Sequence, residues 1–273
     1  MSTRLERLKE ILTSEGIEAM LVSKPENIFY ISGFTGEGWV LVTMNGAAVI
    51  TDPRYTEQAE KEAPGFDILE FKNNIHPFKI IDDYLKQNYI KYLAFESHVV
   101  TVKEYANLES CLKNVHLYAF ENLVEKLRLI KDVDEILAIR KAQKITDQTF
   151  AHILQYIKDG VSEEEIALEM EYFMKKQGAS GVAFEIIVAS GKNSSLPHAK
   201  PTKKKLQKGD FIILDFGARF KNYCSDMTRT IFLGNVDGTQ KRIYNTVLKA
   251  QEAALEHIKS GVLGKDVDKK ARD

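Results

Sequence analysis

The chain has 273 residues, 38 of them basic and 39 acidic, for a net charge of −1; apolar residues make up 44% and charged residues 28%. That is the composition of a globular protein long enough for two domains or one large one, without the clustered excess of Lys and Arg that a nucleic-acid surface needs. No apolar run approaches membrane-spanning length, and two distant cysteines, Cys111 and Cys224, make no disulfide framework, so a reducing compartment, the cytoplasm, is expected.

Residues 3–15 predict a helix with Leu5, Leu8, Ile11 and Leu12 on one face and Gly16 as its stop. This charged amphipathic start, from Met1 to Glu10, is not a signal peptide. Residues 19–22 read as a strand, and residues 27–31 lead into a loop with three glycines, Gly33, Gly36 and Gly38. Residues 39–43 and 47–51 predict a hairpin around Asn45-Gly46. Asp52 is expected to N-cap a helix reaching about Lys61, with Pro53 at its first position. A strand at 66–71, a helix at 77–88, a strand at 92–95 and a helix at 102–111 complete an α/β alternation. The texture changes near residues 121–133, and a boundary at about 125 divides the chain into 1–125 and 126–273.

The second part opens on an amphipathic helix over 134–158, ended by Gly160. Ser162 and Glu165 form a capping box for a helix to about Gln177. After a break at 178–181 come a strand at 184–189 and a loop at 190–201 that carries His198 between Pro197 and Pro201. A histidine on such a loop suits donation to a substrate carbonyl or proton shuttling, although a lone loop histidine is more often simply solvated. The other five histidines have no comparable setting. The run Lys203-Lys204-Lys205 reads as a solvated turn face.

Residues 211–233 then predict strand, tight turn near Lys221-Asn222, and strand. If the loop has two residues, the odd spacing of Asp215 and Asp226 puts both on one face of the hairpin, opposite or diagonal. A bulge or a three-residue loop would weaken that parity. Two bare carboxylates side by side repel, so one holds a proton or a cation sits between them. Paired hard oxygen ligands suit Mn²⁺, Mg²⁺ or a two-metal hydrolytic site; the plainer alternative is two hairpin surface charges. Cys224 lies between these aspartates, which are expected to raise its thiol pKa and argue against a nucleophile. Asp215-Phe216-Gly217 matches a kinase triplet without its catalytic loop, and Gly191-Lys192 resembles a Walker A end with Ile186 where the first glycine belongs. A helix follows over 240–259. Residues 265–273 open a further helix with no Gly or Pro cap, which predicts a chain cut short of its domain's end.

Together these segments resemble the creatinase/prolidase branch of the pita-bread metallopeptidases, close to bacterial Xaa-Pro aminopeptidases and dipeptidases. The resemblance runs through Thr51-Asp52-Pro53-Arg54-Tyr55-Thr56, residues 135–142, residues 184–191 and the His198 loop. It is most specific in Lys208-Gly209-Asp210-Phe211-Ile212-Ile213-Leu214-Asp215-Phe216-Gly217 and Tyr223-Cys224-Ser225-Asp226-Met227-Thr228-Arg229-Thr230, and it covers essentially the whole chain. It implies an α/β creatinase-like N-terminal domain followed by an α+β pita-bread domain of which only the first half is present. It further implies that Asp215 chelates one metal, that Asp226 bridges two, and that His198 contacts the substrate near the scissile amide. Two divalent ions, Mn²⁺ or Co²⁺, would activate a water against the bond before proline in proline-containing peptides or dipeptides. The histidine and two glutamates that complete the family's five ligands have no counterpart here, since His257, Glu252 and Glu256 lie in a helix of another kind. The 273 residues alone are therefore expected to be inactive. The resemblance implies a homodimer for the full-length protein, with no nucleic-acid or membrane partner. A non-catalytic peptide- or protein-binding module is the alternative, and a metal-free amidinohydrolase is disfavoured because that chemistry does not use the two aspartates.

Overall fold

The computed structural model describes residues 3–72 and 76–273, so Met1 and Ser2 of the expected N-terminal segment lie outside the described residues. The chain forms two compact units, Met1–Lys131 and Asp132–Asp273. No helix among the described residues is long and apolar enough to cross a membrane.

The first unit runs α1 (Arg4–Ser14), β1 (Ala19–Val22), α2 (Pro25–Ser32), β2 (Gly38–Thr43), β3 (Ala47–Thr51), α3 (Thr56–Glu62), β4 (Asp67–Glu70), α4 (Pro77–Gln87), β5 (Tyr92–Glu96), α5 (Val102–Cys111), β6 (His116–Phe120) and α6 (Leu123–Arg128). Its strands make one mixed sheet in the order β4-β3-β2-β1-β5-β6. Alternate residues of β1 feed two cores. Met20 and Val22 pack with Leu8, Leu12 and Val124, while Ala19 and Leu21 pack with Ile81, Leu85 and Leu93. Helices cover both faces, which is why the central strands read as unbroken apolar runs.

Two expectations for this unit need correction. The β2–β3 hairpin forms, but Gly46 already sits opposite Thr43, bonded through Thr43 N–H to its carbonyl (2.9 Å). The turn residues are thus Met44 and Asn45, and neither takes a positive φ. Asp52 does not cap α3, whose N-cap is Tyr55. Its carboxylate instead accepts from Arg54 N–H (2.8 Å) and the Arg54 guanidinium (2.6 Å), closing a turn before the helix starts.

The second unit begins with α7 (Val133–Ile153) and α8 (Glu163–Lys176), followed by β7 (Gly181–Val182), β8 (Ile187–Ser190) and a 3₁₀ turn (Gly191–Ser195). Then come β9 (Phe211–Phe216), β10 (Ala218–Phe220), β11 (Tyr223–Cys224), β12 (Met227–Phe232), α9 (Gly238–His257) and α10 (Gly264–Arg272). One long hairpin threads two three-stranded sheets, β11-β10-β7 and β12-β9-β8. On β9 the even positions Ile212, Leu214 and Phe216 are buried against Ile145, Ile153, Ile166 and Met170 of the helices. The odd positions Ile213 and Asp215 face the other way and are half-buried.

Helix α7 stops five residues before its expected end, because Gly160 and Val161 turn away to exchange backbone hydrogen bonds with Leu206 (3.0 and 2.8 Å). The strand expected from Phe184 starts only at Ile187. Ala183 still bonds to Gly217 (2.8 Å), but Val182 pairs with Ala218 and Ile187 with Asp215. The chain spends two more residues than the strand opposite it, and the excess loops out as Phe184 and Glu185.

Candidate active site

The site is built on the β9–β12 hairpin. Lys221 and Asn222 both take left-handed φ (48° and 64°), so the loop has two residues and the primed geometry that suits strand twist. Phe220 then pairs with Tyr223 and Arg219 with Cys224. Beyond a break in the ladder, Phe216 pairs with Met227 and Asp215 with Thr228 in the same register. Asp226 therefore falls opposite Gly217, two residues from the position facing Asp215. The carboxylates are diagonal neighbours on one face, a relation that stands roughly 7–8 Å across at the backbone.

The break is held by side chains. Gly217 lies so close to the facing strand that a Cβ there would sit 1.9 Å from the Ser225 carbonyl oxygen. Ser225 is buried, and its Oγ accepts from Ala218 N–H (3.0 Å) and shares a hydrogen bond with Thr146 Oγ1 of α7 (2.6 Å). At the hairpin's tip, Tyr223 donates to Glu135 Oε1 (3.0 Å), and Glu135 in turn completes the capping box of α7 with Asp132. The turn, the close approach and the first helix together orient Asp226.

Thr228 donates to Asp215 Oδ1 (2.9 Å). Asp226 is exposed and has no hydrogen-bond or ion-pair partner among the described residues. Both line an open cleft of about 950 Å³ together with exposed His198 and the apolar side chains of Val182, Phe184 and Ile186. The structure thus brings the three residues singled out from the sequence to one cleft. Among the described residues no group of three or more His, Cys, Asp or Glu side chains is placed to hold a metal ion.

Cys224 is exposed, directly across from Arg219. Partial burial of its sulfur pushes the thiol pKa up and the Arg219 charge opposes this, so the expected direction holds but the aspartates are not its cause. His152 is not in an unremarkable setting either. It is half-buried, bonds Glu169 (2.6 Å) and stacks on Phe173 with centroids 3.9 Å apart, which ties α7 to α8.

The lysine run departs most from expectation. Lys204 is half-buried and bonds both Asp210 (2.7 Å) and Ser190 Oγ (2.7 Å), while Lys205 reaches Glu165 (3.0 Å). Next to this pair lies a residue that sequence reasoning passed over, Glu163, fully buried at the first position of α8 and bonded to both ends of the His198 loop. Three consecutive glutamates after a cap look alike on a page, and only the fold separates Glu165, which completes the capping box, from Glu163, which turns inward.

A model of the metallopeptidase family M24 matches residues 138–273, and one of the creatinase/prolidase N-terminal domain matches residues 4–130. The chain is 41% identical to an uncharacterized peptidase of Bacillus subtilis, over 99% of this chain and 76% of that protein. It is 33% identical to an Xaa-Pro dipeptidase of Pyrococcus horikoshii, over 100% of this chain and 76% of the relative. Among solved structures it resembles an Xaa-Pro dipeptidase from Bacillus anthracis, with a TM-score of 0.94 and 40% identity, covering 99% of this chain and 76% of that one.

Proposed function

Because the chain belongs to metallopeptidase family M24 and carries a creatinase/prolidase N-terminal domain, we propose that it serves an Xaa-Pro exopeptidase, which hydrolyses the peptide bond before proline. The observation that carries this reading is the placement of Asp215 and Asp226 on one face of a hairpin, in one cleft with His198. Two carboxylates with no basic side chain bonded to either among the described residues suit a hard divalent cation. Asp215 and Asp226 would hold such ions, Mn²⁺ or Co²⁺, and an ion bound there acidifies a water and polarises a carbonyl.

The chain's own residues supply the rest. Thr228 fixes one oxygen of Asp215, leaving the other free to face the cleft. His198 donates from a ring N–H to the carbonyl oxygen ahead of the scissile bond, where negative charge develops. Val182, Phe184 and Ile186 offer the pyrrolidine ring of the substrate an apolar wall and keep water from it. A homodimer of the full-length protein and a cytoplasmic location belong to the same proposal. The two aspartates alone would bind an ion weakly, since affinity at oxygen-ligand sites falls with the number of charged ligands.

Titration of isotopically labelled protein with Mn²⁺ tests this. Paramagnetic broadening is expected first at residues 214–216 and 226–228, and Asp226→Asn should remove it. Broadening that ignores both aspartates would refute the assignment. Binding of an Xaa-Pro peptide that a chelator leaves untouched would favour a non-catalytic binding module instead.

A further inference from the structure

Glu163 is a fully buried carboxylate for which the chemistry above has no use. Burying an isolated charge is costly, so its surroundings must justify it. Helix capping does not, because Ser162 and Glu165 already complete the box of α8. The hydrogen bonds of Glu163 do. Oε1 accepts from Ser190 N–H (2.7 Å) and Ser190 Oγ (2.7 Å), and Oε2 from Thr202 N–H (3.1 Å) and Thr202 Oγ1 (2.6 Å). Asn193 Nδ2 lies 3.2 Å from each oxygen. Ser190 and Asn193 precede His198, and Thr202 follows it. One carboxylate therefore closes the loop at both stems, as a clasp closes a strap.

The backbone repeats the closure. Glu163 N–H donates to Lys204 O and Glu164 N–H to Thr202 O, each at 3.1 Å. Lys204 Nζ bonds Ser190 Oγ and Asp210 at the head of β9, so the clasp joins α8, the loop and the strand that carries Asp215. Burial pushes the Glu163 carboxyl up, but the hydrogen bonds from Thr202, Ser190 and Asn193 outweigh it and leave the group lowered and ionised. Gly191 belongs to the same joint, since a Cβ there would meet Asp210 Oδ1 at 2.6 Å. His198 itself is exposed, so its placement depends on these stems.

We infer that Glu163 is a positioning residue for His198: its buried carboxylate clasps both stems of the 190–202 loop and holds the imidazole over the cleft beside Asp215 and Asp226. This rests on the reading of His198 as a substrate contact. The variant to make is Glu163→Gln, which keeps the shape but sets an amide NH₂ against donors.

Two measurements on the labelled chain separate the possibilities. Amide hydrogen exchange should accelerate by about tenfold or more across residues 190–202, with β9 and β12 changed by less than about twofold. With Mn²⁺ present, the His198 ring signal, broadened in the wild type, should sharpen in Glu163→Gln while broadening at residues 214–216 persists. Unchanged exchange in the loop, or equal acceleration throughout the second unit, would overturn the inference. Should Glu163→Gln not fold, Asn193→Ala and Thr202→Val remove donors from the loop side and must loosen the same segment, or the clasp is wrong. Absence of any Mn²⁺ effect in the wild type would count against the metal reading alone, because the exchange result stands without it.

Discussion

Replacing Gly217 with alanine places a methyl group between the two aspartates. The new Cβ would stand 1.9 Å from Ser225 O and 2.8 Å from Ser225 C, both backbone atoms. An ordinary C···O contact is roughly 3.3 Å, so the strands must part by more than about 1 Å. Forced overpacking of this kind costs about 1–3 kcal/mol. Parting the strands also strains the Ser225 N–H bond to Ala218 O (3.0 Å) and the Ala218 N–H bond to Ser225 Oγ (3.0 Å), at about 1–3 kcal/mol for a buried group left unmet. The expected loss is thus about 2–6 kcal/mol, a large share of the 5–15 kcal/mol typical of a domain. Urea denaturation followed by near-ultraviolet circular dichroism measures it, and Mn²⁺ broadening at Asp226 should weaken in the fraction still folded. Gly238→Ala is the control, since its Cβ meets nothing within 4 Å and it opens α9. A Gly217→Ala protein within about 0.5 kcal/mol of the wild type, the range of ordinary surface changes, would refute the close-approach argument.

Two further outcomes are expected. Ser225→Ala removes the nearer of the two acceptors of Ala218 N–H and leaves Thr146 Oγ1 at 3.2 Å, so it should cost about 1 kcal/mol, as should Thr146→Val, which leaves Ser225 in place. The double variant leaves Ala218 N–H with neither acceptor and should depart from the sum, and strict additivity in denaturant midpoints would show that the two hydroxyls do not share one network. In the first unit, burial raises the Glu125 carboxyl, but hydrogen bonds from Asn27 (2.9 Å) and Lys24 (3.0 Å) more than reverse this and leave it at about 2. A depressed carboxyl stabilises the fold above its unfolded value near 4.5 and loses that contribution as pH falls toward 2. Glu125→Gln should therefore melt below the wild type at neutral pH, and the gap should close between about pH 4.5 and pH 2. A gap independent of pH would contradict the assignment.

Local chemistry made much of this legible beforehand. The creatinase-like first domain and the M24 second domain were expected from the resemblance of whole motifs, and the hairpin's parity from counting, because side-chain direction in a strand is fixed once the turn is known. What escaped was set by partners that the pattern of residue types does not name, some close in the chain and some far. Asp52 looks like an N-cap until Arg54 claims it. Phe184 looks like the start of a strand because nothing in its neighbours says that the opposing strand is two residues shorter. Lys204 looks solvated until Asp210 folds against it, and Glu163 is one of three glutamates until Thr202, 39 residues later, arrives above it. The β2–β3 turn was misread by one residue because Asn-Gly favours positive φ without compelling it, whereas Lys221-Asn222 adopts it with no glycine at all.

The two-residue turn at Lys221-Asn222 also limits how such a protein can change through descent. Adding or deleting a single residue there would rotate Asp226 to the helix side of the hairpin, among Ile145 and Phe216, while Met227 and Ile231 of β12 swung outward. A change of two would restore the facing. The tip is an exposed place where insertions would ordinarily be tolerated, and yet its length is heritable only in even steps. Lineages carrying this hairpin should therefore vary the identity of its tip residues far more readily than their number.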